Sequence, residues 1–154
     1  SRLGKHLRVE SLAEQVLLCC EQVLEPVFLQ QRLGLHQQML MESLFHNLES
    51  AEALACLPLR ARFLPLLVRW IRHPSSFSCS TERIGFVQSP RLLQWLEELL
   101  TEEHLSFAAD RPHLERLIRW VATWNTNNRY RLAPQIQSLT KRFPREAQLW
   151  KKLW

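Results

Sequence analysis

The sequence has little glycine, one aspartate and no paired cysteine motif, and each shortage excludes a class of site. Its three glycines, at positions 4, 34 and 85, are too scattered to form a phosphate-binding glycine-rich loop. The four cysteines contain no CxxC pair and no Cys/His spacing of the kind that binds zinc. Asp110 is the sole aspartate, and its place two residues before Pro112 predicts a helix start. We therefore expect neither a metal nor a cofactor.

Catalytic constellations are also missing. The six histidines occur singly along the chain, and neither GxSxG nor HExxH is present. Glutamates at positions 97, 98, 102 and 103 form an acidic cluster on a predicted helix, a pattern typical of a solvated face or of a contact for lysines. The sequence therefore predicts a protein that is not an enzyme and has no small-molecule substrate.

Long apolar runs are absent as well. No stretch approaches the roughly 20 apolar residues that span a bilayer, and the first residues lack the apolar core of a secretion signal. Unpaired cysteines are typical of a reducing compartment. We expect no membrane association and an intracellular location, in the nucleus rather than the cytoplasm.

Leucine, glutamine, glutamate and arginine dominate, and straight-chain residues lose little rotamer freedom in a helix. The expected fold is all-α, with seven or eight antiparallel helices arranged as a HEAT-like α-solenoid or as an irregular bundle. The length predicts one helical domain over residues 1–154. Its weak N-terminal start and its terminal Trp154 resemble an excised piece of a larger subunit.

Three similar segments recur at intervals of 25 residues and place tryptophans at positions 70, 95 and 120. They are Leu67–Ile71, Leu92–Leu96 and Leu117–Val121. Each has an aliphatic pair, a polar residue, the tryptophan and a further aliphatic residue. This spacing suggests that three successive helices meet their neighbours in similar ways, although a leucine-rich chain can also repeat itself by chance.

Two stretches carry apolar residues at i, i+4, i+7 and i+11, which predicts one buried helical stripe in each. The first stripe comprises Leu12, Val16, Cys19 and Val23, and the second comprises Leu132, Ile136, Leu139 and Phe143. Extra apolar residues beside the first stripe suggest that its helix is contacted from two sides.

Prolines predict several helix boundaries. The first helix is expected over residues 9–24, and Pro26 is expected to begin a second, short one. A further helix should start at Pro58 and be kinked or divided at Pro65. Its arginines Arg62, Arg69 and Arg72 fall opposite the apolar stripe, as on the usual outer face of an amphipathic helix.

Residues 74–88 form the one long irregular stretch. Connections of this length are uncommon in compact domains and are often functional or disordered. Four apolar residues predict that part of the stretch packs back on the helices: Phe77, Ile84, Phe86 and Val87.

Charge is divided unevenly between the two parts of the chain. Residues 1–57 carry four Lys/Arg and seven Glu, whereas residues 58–154 carry sixteen basic and eight acidic residues. Such asymmetry favours an acidic partner for the second part, with an ordinary solvated surface as the alternative explanation. The candidate partner-binding residues are Arg129, Arg131, Lys141, Arg142, Arg145, Lys151, Lys152 and Trp154.

Two functional hypotheses follow. The first is a scaffold or adaptor domain that binds other protein subunits with an acidic surface, within a larger complex. The alternative is a nucleic-acid-binding helical domain, in which the basic residues contact phosphates and the interleaved aromatic residues stack on bases. The aromatic residues fall on apolar stripes that predict burial, which favours the scaffold.

Overall fold

The computed structural model describes residues 2–49, 57–77, 91–124 and 132–154, and the regular secondary structure within these ranges is helical. The elements are α1 (Arg2–Leu29), α2 (Leu35–Glu49), α3 (Leu57–Arg72), α4 (Arg91–Thr101), α5 (Phe107–Trp124), α6 (Ala133–Arg142), a 3₁₀ turn (Pro144–Glu146) and α7 (Ala147–Lys151). Since no strand occurs in these ranges, the predicted all-α class is confirmed.

The helices pack along one continuous apolar core. Helix α1 contacts α2 and α3, α2 also contacts α4, and α3 also contacts α5. At the C-terminal end, α6 contacts α4, and α7 contacts both α5 and α6. Aromatic rings join α2, α3 and α4: Phe45 stacks on Trp70 with ring centroids 4.6 Å apart, and Phe63 meets the edge of Trp95 at 5.1 Å.

The three tryptophans of the sequence repeat are all buried, and each contacts another aromatic ring. Trp70 and Trp120 lie edge to face, with their ring centroids 6.3 Å apart. Trp95 lies against Phe63 instead. The similar segments therefore share burial, while Trp70 and Trp120 both contact Phe77 and Trp95 contacts Phe63.

The predicted boundary at Pro26 is wrong, because helix α1 continues through this residue to Leu29. Helix α3 is not divided at Pro65, and the alternative of a kink there stays a prediction. A proline inside a helix removes one backbone hydrogen bond. In α1 the buried Leu24 and Val27, on either side of Pro26, are part of the core, and this packing favours continuing the last turn.

Helix α5 also starts earlier than predicted, at Phe107 rather than near Asp110. The hydroxyl of Ser106 accepts the Ala109 backbone N–H at 3.0 Å, while the Asp110 carboxylate accepts the Ser106 N–H at 3.0 Å. This reciprocal arrangement resembles a capping box. Asp110 therefore stabilises the helix start from within the first turn.

The beginning of the predicted loop, residues 74–77, turns back onto the core. Phe77 is buried and lies between Trp70 and Trp120, with centroid distances of 4.8 and 5.1 Å. Its φ of 62° is uncommon for a bulky residue. The predicted packing of Phe77 is confirmed, whereas the rest of the loop, residues 78–88, lies outside the described residues.

The arginines of α3 remain partly exposed, and all three also form ion pairs with other helices. The distances are 3.4 and 3.1 Å from Arg62 to Glu14 and Glu21, 2.7 Å from Arg69 to Glu25, and 2.8 Å from Arg72 to Asp110. The hydrogen bond from Arg72 lowers the pKa of Asp110, and the bond from Arg69 lowers that of Glu25. The arginine face of α3 therefore orients α1 and α5 rather than meeting solvent alone.

Candidate partner-binding surface

The basic C-terminal segment is held in place by an aromatic cluster. Phe107 of α5 lies 5.3 Å from Phe143 and 5.9 Å from Trp150, measured between ring centroids. The indole N–H of Trp150 donates to the Phe143 carbonyl oxygen at 3.1 Å. Since a buried indole N–H needs an acceptor, this bond fixes the angle between α6 and α7.

Sequence explains why the segment turns sharply at this point. The Phe143 backbone N–H donates to the Leu139 carbonyl at 2.8 Å and ends α6, and Pro144 then begins the 3₁₀ turn. Leu149, Trp150 and Leu153 face the core from α7 and the residues after it. The residues between them are consequently turned outward.

Four of the predicted partner-binding cations are exposed on these C-terminal elements: Lys141, Arg145, Lys151 and Lys152. Within the described residues, no carboxylate forms an ion pair with any of the four. Trp154 follows them, with 47% of its surface exposed. The structure thus brings a large part of the predicted set onto packed, neighbouring elements.

Arg142 differs from the other members of the set. Its side chain forms an ion pair with Glu97 of α4 at 3.1 Å, and it donates to the Thr101 hydroxyl at 3.2 Å. It therefore connects α6 to α4 within the chain. The two remaining members of the predicted set, Arg129 and Arg131, lie outside the described residues.

The acidic cluster of α4 contacts arginines of this chain, not the lysines that the sequence pattern suggested. Arg60 of α3 lies 3.2 Å from Glu98 and 2.7 Å from Glu102, and Arg142 approaches Glu97 from the other side. The Arg60 hydrogen bond lowers the pKa of Glu102. These groups line an open polar groove of about 460 Å³, whose charges are already paired across three helices.

Sequence reasoning missed a second surface, an apolar one on α1. Of the stripe predicted to be buried, Leu12, Val16 and Val23 are 62%, 47% and 46% exposed, and Cys19 is exposed too. The buried residues of α1 are instead Leu17, Cys20, Leu24 and Val27. The sequence did contain a sign of this exposed surface, because α1 has two apolar stripes and a core needs only one of them.

A buried carboxyl on α2 was missed as well. Glu42 is 1% exposed, and neither of its carboxyl oxygens has a hydrogen-bond partner among the described residues. Burial raises the pKa of the Glu42 carboxyl to about 7. The nearby backbone of Phe77 lowers this pKa by a smaller amount, although it does not satisfy the geometry of a hydrogen bond. No periodicity marks such a residue, since a glutamate between apolar neighbours on a helix usually points outward.

The described residues contain no group of three His, Cys, Asp or Glu side chains close enough to hold a metal ion. None of the described helices combines the length and apolar character required to cross a membrane. What the described surface offers is one exposed basic segment ending in an aromatic residue, and one exposed apolar stripe.

No protein-family model, no curated protein and no solved structure matches this chain.

Proposed function

We propose that this chain is a non-enzymatic helical scaffold or adaptor domain that binds another protein subunit through its basic C-terminal segment, within a larger complex. The basic surface consists of Lys141, Arg145, Lys151 and Lys152, together with Trp154. The observation that carries the proposal is the absence of ion-pair partners for these four cations among the described residues, next to an exposed tryptophan.

The contrast with the other arginines gives this observation its weight. Six described arginines form ion pairs with carboxylates of other elements: Arg60, Arg62, Arg69, Arg72, Arg111 and Arg142. Pairing between elements is thus frequent among the described arginines. Cations left without an internal partner at one end of the fold are available for an external one, and their positive potential favours an acidic surface.

Burial of the aromatic residues supports a protein partner over nucleic acid. Proteins that bind single strands stack bases on exposed aromatic rings. Here Trp150 is buried with its indole N–H already bonded, and Phe143 is packed against the core. Trp154 is then the exposed ring of this segment, and Trp residues are enriched in protein interfaces.

A charge-reversal experiment tests the proposal. The variant K151E/K152E changes two exposed cations of the basic surface, and R32E/R119E makes the same change in net charge at exposed positions elsewhere. Binding to a fluorescent Glu-rich peptide is measured across a salt series. We expect the wild type and R32E/R119E to bind with marked salt dependence, and K151E/K152E to lose most of its affinity.

Equal losses in the two variants would contradict the proposal, because binding would then follow net charge rather than position. The same proteins are titrated with single- and double-stranded oligonucleotides. Tight oligonucleotide binding with a steep salt slope, abolished in K151E/K152E, would favour the nucleic-acid function instead.

A further inference from the structure

The exposed stripe of α1 has the spacing of a coiled-coil seam. Leu12, Val16, Cys19 and Val23 are separated by four, three and four residues, the alternation of heptad positions d and a. All four are exposed along the same side of α1. A seam of this kind is normally covered by another helix, yet the described part of the chain leaves it open.

We propose that this seam is the interface of a homodimer, in which α1 of one copy pairs in parallel with α1 of a second copy. This interface lies on a different element from the basic surface and involves none of its residues.

The residue types at the seam favour a parallel pair. Val16 and Val23 occupy position a, and Leu12 occupies position d. Parallel two-stranded coiled coils prefer β-branched residues at a and leucine at d, because the side-chain vectors of the two layers differ. Val9 lies three residues before Leu12 in the sequence and continues the same pattern.

The helix next to the seam completes the site. A groove of about 340 Å³ runs between α1 and α2, with Val16 and Val23 on one wall and Leu44 on the other. Leu40 of α2 is 44% exposed. In a parallel pair about a two-fold axis, α1 of each copy contacts the seam on α1 of the other copy and the adjoining edge of that copy's α2. The interface would thus be an isologous four-helix arrangement.

The charges around the seam permit self-association. Gln15 and Gln22, at the heptad positions that flank the seam, are exposed and uncharged. The acids on the far side of α1, Glu14, Glu21 and Glu25, form ion pairs with α3 of the same chain. Between Leu12 and Val23, the described flanking residues Gln15 and Gln22 therefore add no like-charge repulsion between two copies, and they offer no charge that would select a foreign helix.

The size of the seam sets the expected affinity. Stable interfaces bury about 800 Å² per partner, and a seam of two heptads with one edge of α2 is at or below that size. A dissociation constant on the order of 10 µM is then expected, equivalent to about −7 kcal/mol. The dimer should be visible at tens of micromolar and dissociate below one micromolar.

Sedimentation velocity over a concentration series, under reducing conditions, tests the interface. The wild type should show a reversible monomer–dimer equilibrium. V16E places a charge in the seam, and L18E places the same charge at Leu18, which is 46% exposed on α1 but lies outside the seam. We expect V16E to be monomeric and L18E to dimerise like the wild type, with both retaining the helical circular dichroism spectrum.

Cysteine crosslinking tests the orientation of the pair. A parallel pair brings the two Cys19 side chains together in one d layer, whereas an antiparallel pair has mixed layers, in which each Cys19 lies opposite a position-a valine of the other copy. Mild oxidation with copper phenanthroline should give a disulfide-linked dimer of the wild type and none of C19S.

Each result decides the proposal. A wild type that stays monomeric at the highest soluble concentration would overturn it, as would a dimer that V16E leaves intact. A dimer that forms in solution and is lost in V16E, but whose Cys19 residues do not crosslink, would overturn the parallel orientation. Binding of the Glu-rich peptide to the basic surface is measured separately, so failure here leaves the proposed function standing.

Discussion

Helices α1 and α6 carry the same apolar spacing and bury it differently. The stripe of α6 lies in the core, with Ile136 and Leu139 fully buried. The stripe of α1 has the identical i, i+4, i+7, i+11 pattern, but Leu12 is 62% exposed. Periodicity therefore identifies a helix in both cases, and it identifies the buried face in one of them.

The difference comes from the residues between the stripe positions. In α6 these are polar, for example Gln137 and Ser138, so one face alone can enter the core. In α1 they include Leu17, which is completely buried, as is Leu24 directly after the stripe. Two apolar faces compete for one core, and the second one remains outside.

Charged residues also differ between α1 and the C-terminal segment. The acids of α1 are used inside the fold, in ion pairs with the arginines of α3. Four cations of the C-terminal segment have no such partners among the described residues, namely Lys141, Arg145, Lys151 and Lys152, while Leu149, Trp150 and Leu153 are buried. One end presents apolar surface to the outside and the other presents charge, which suggests two different kinds of contact.

A matched pair of leucine truncations should show the largest effect. Leu139 is fully buried and Leu12 is mostly exposed, and each belongs to its helix's stripe. We expect L139A to lower the free energy of unfolding by about 2–5 kcal/mol, the range for a buried leucine. L12A should change it by less than about 0.5 kcal/mol.

Urea denaturation at submicromolar protein concentration measures both, so that self-association does not contribute. Similar losses for the two variants would mean that the stripe of α1 is also covered within the monomer, and the contrast between α1 and α6 would disappear.

Glu42 provides a second test, because it is a charged residue inside the core rather than at either end. Its pKa is about 7 in the folded protein, against 4.5 for an ordinary glutamate. Between these values the native state keeps a proton that the unfolded state releases. Stability due to this group therefore falls as the pH rises from about 4.5 to about 7 and stays low above that.

The substitution E42Q replaces the titrating carboxyl with a neutral amide, so it should remove the decrease in stability that Glu42 causes as the pH rises. Relative to its effect at about pH 5, the substitution should gain about 2–3 kcal/mol of stability at about pH 8, since one pKa unit corresponds to about 1.4 kcal/mol. Thermal or urea unfolding at the two pH values gives the difference. An effect of E42Q that does not change with pH would show that the carboxyl is ionised normally in the native state.

Sequence sufficed for those features that depend on local pattern. The all-α class and the burial of Ile136 and Leu139 on α6 follow from composition and period. The course of α1 through Pro26 and the pairing of Arg62 do not, because both depend on contacts with residues distant in sequence. The choice between the two apolar faces of α1 belongs to the same group, since it depends on where α2 and α3 pack.

The smallest change in the free energy of unfolding is expected when a single cation is neutralised. The change should still differ between a paired arginine in the fold and an exposed lysine of the C-terminal segment. Arg60 pairs with Glu98 and Glu102, whereas Lys151 has no partner among the described residues. The pair is partly exposed and screened, so R60Q should cost no more than about 1 kcal/mol, and K151Q should have nearly no effect. The cost of R60Q should shrink in high salt. If K151Q proved the costlier variant, Lys151 would have an internal role.

Differential labelling of Cys19 and Cys20 tests most directly which face of α1 is inside. The two thiols are adjacent in sequence, but Cys19 is exposed and Cys20 is buried. Burial also raises the pKa of the Cys20 thiol, so less of the reactive thiolate is present. Iodoacetamide labelling of the folded protein at submicromolar concentration, read by tandem mass spectrometry, should modify Cys19 rapidly and leave Cys20 protected until the protein unfolds. Faster modification of Cys20, or equal rates for both, would contradict the exposed seam on α1.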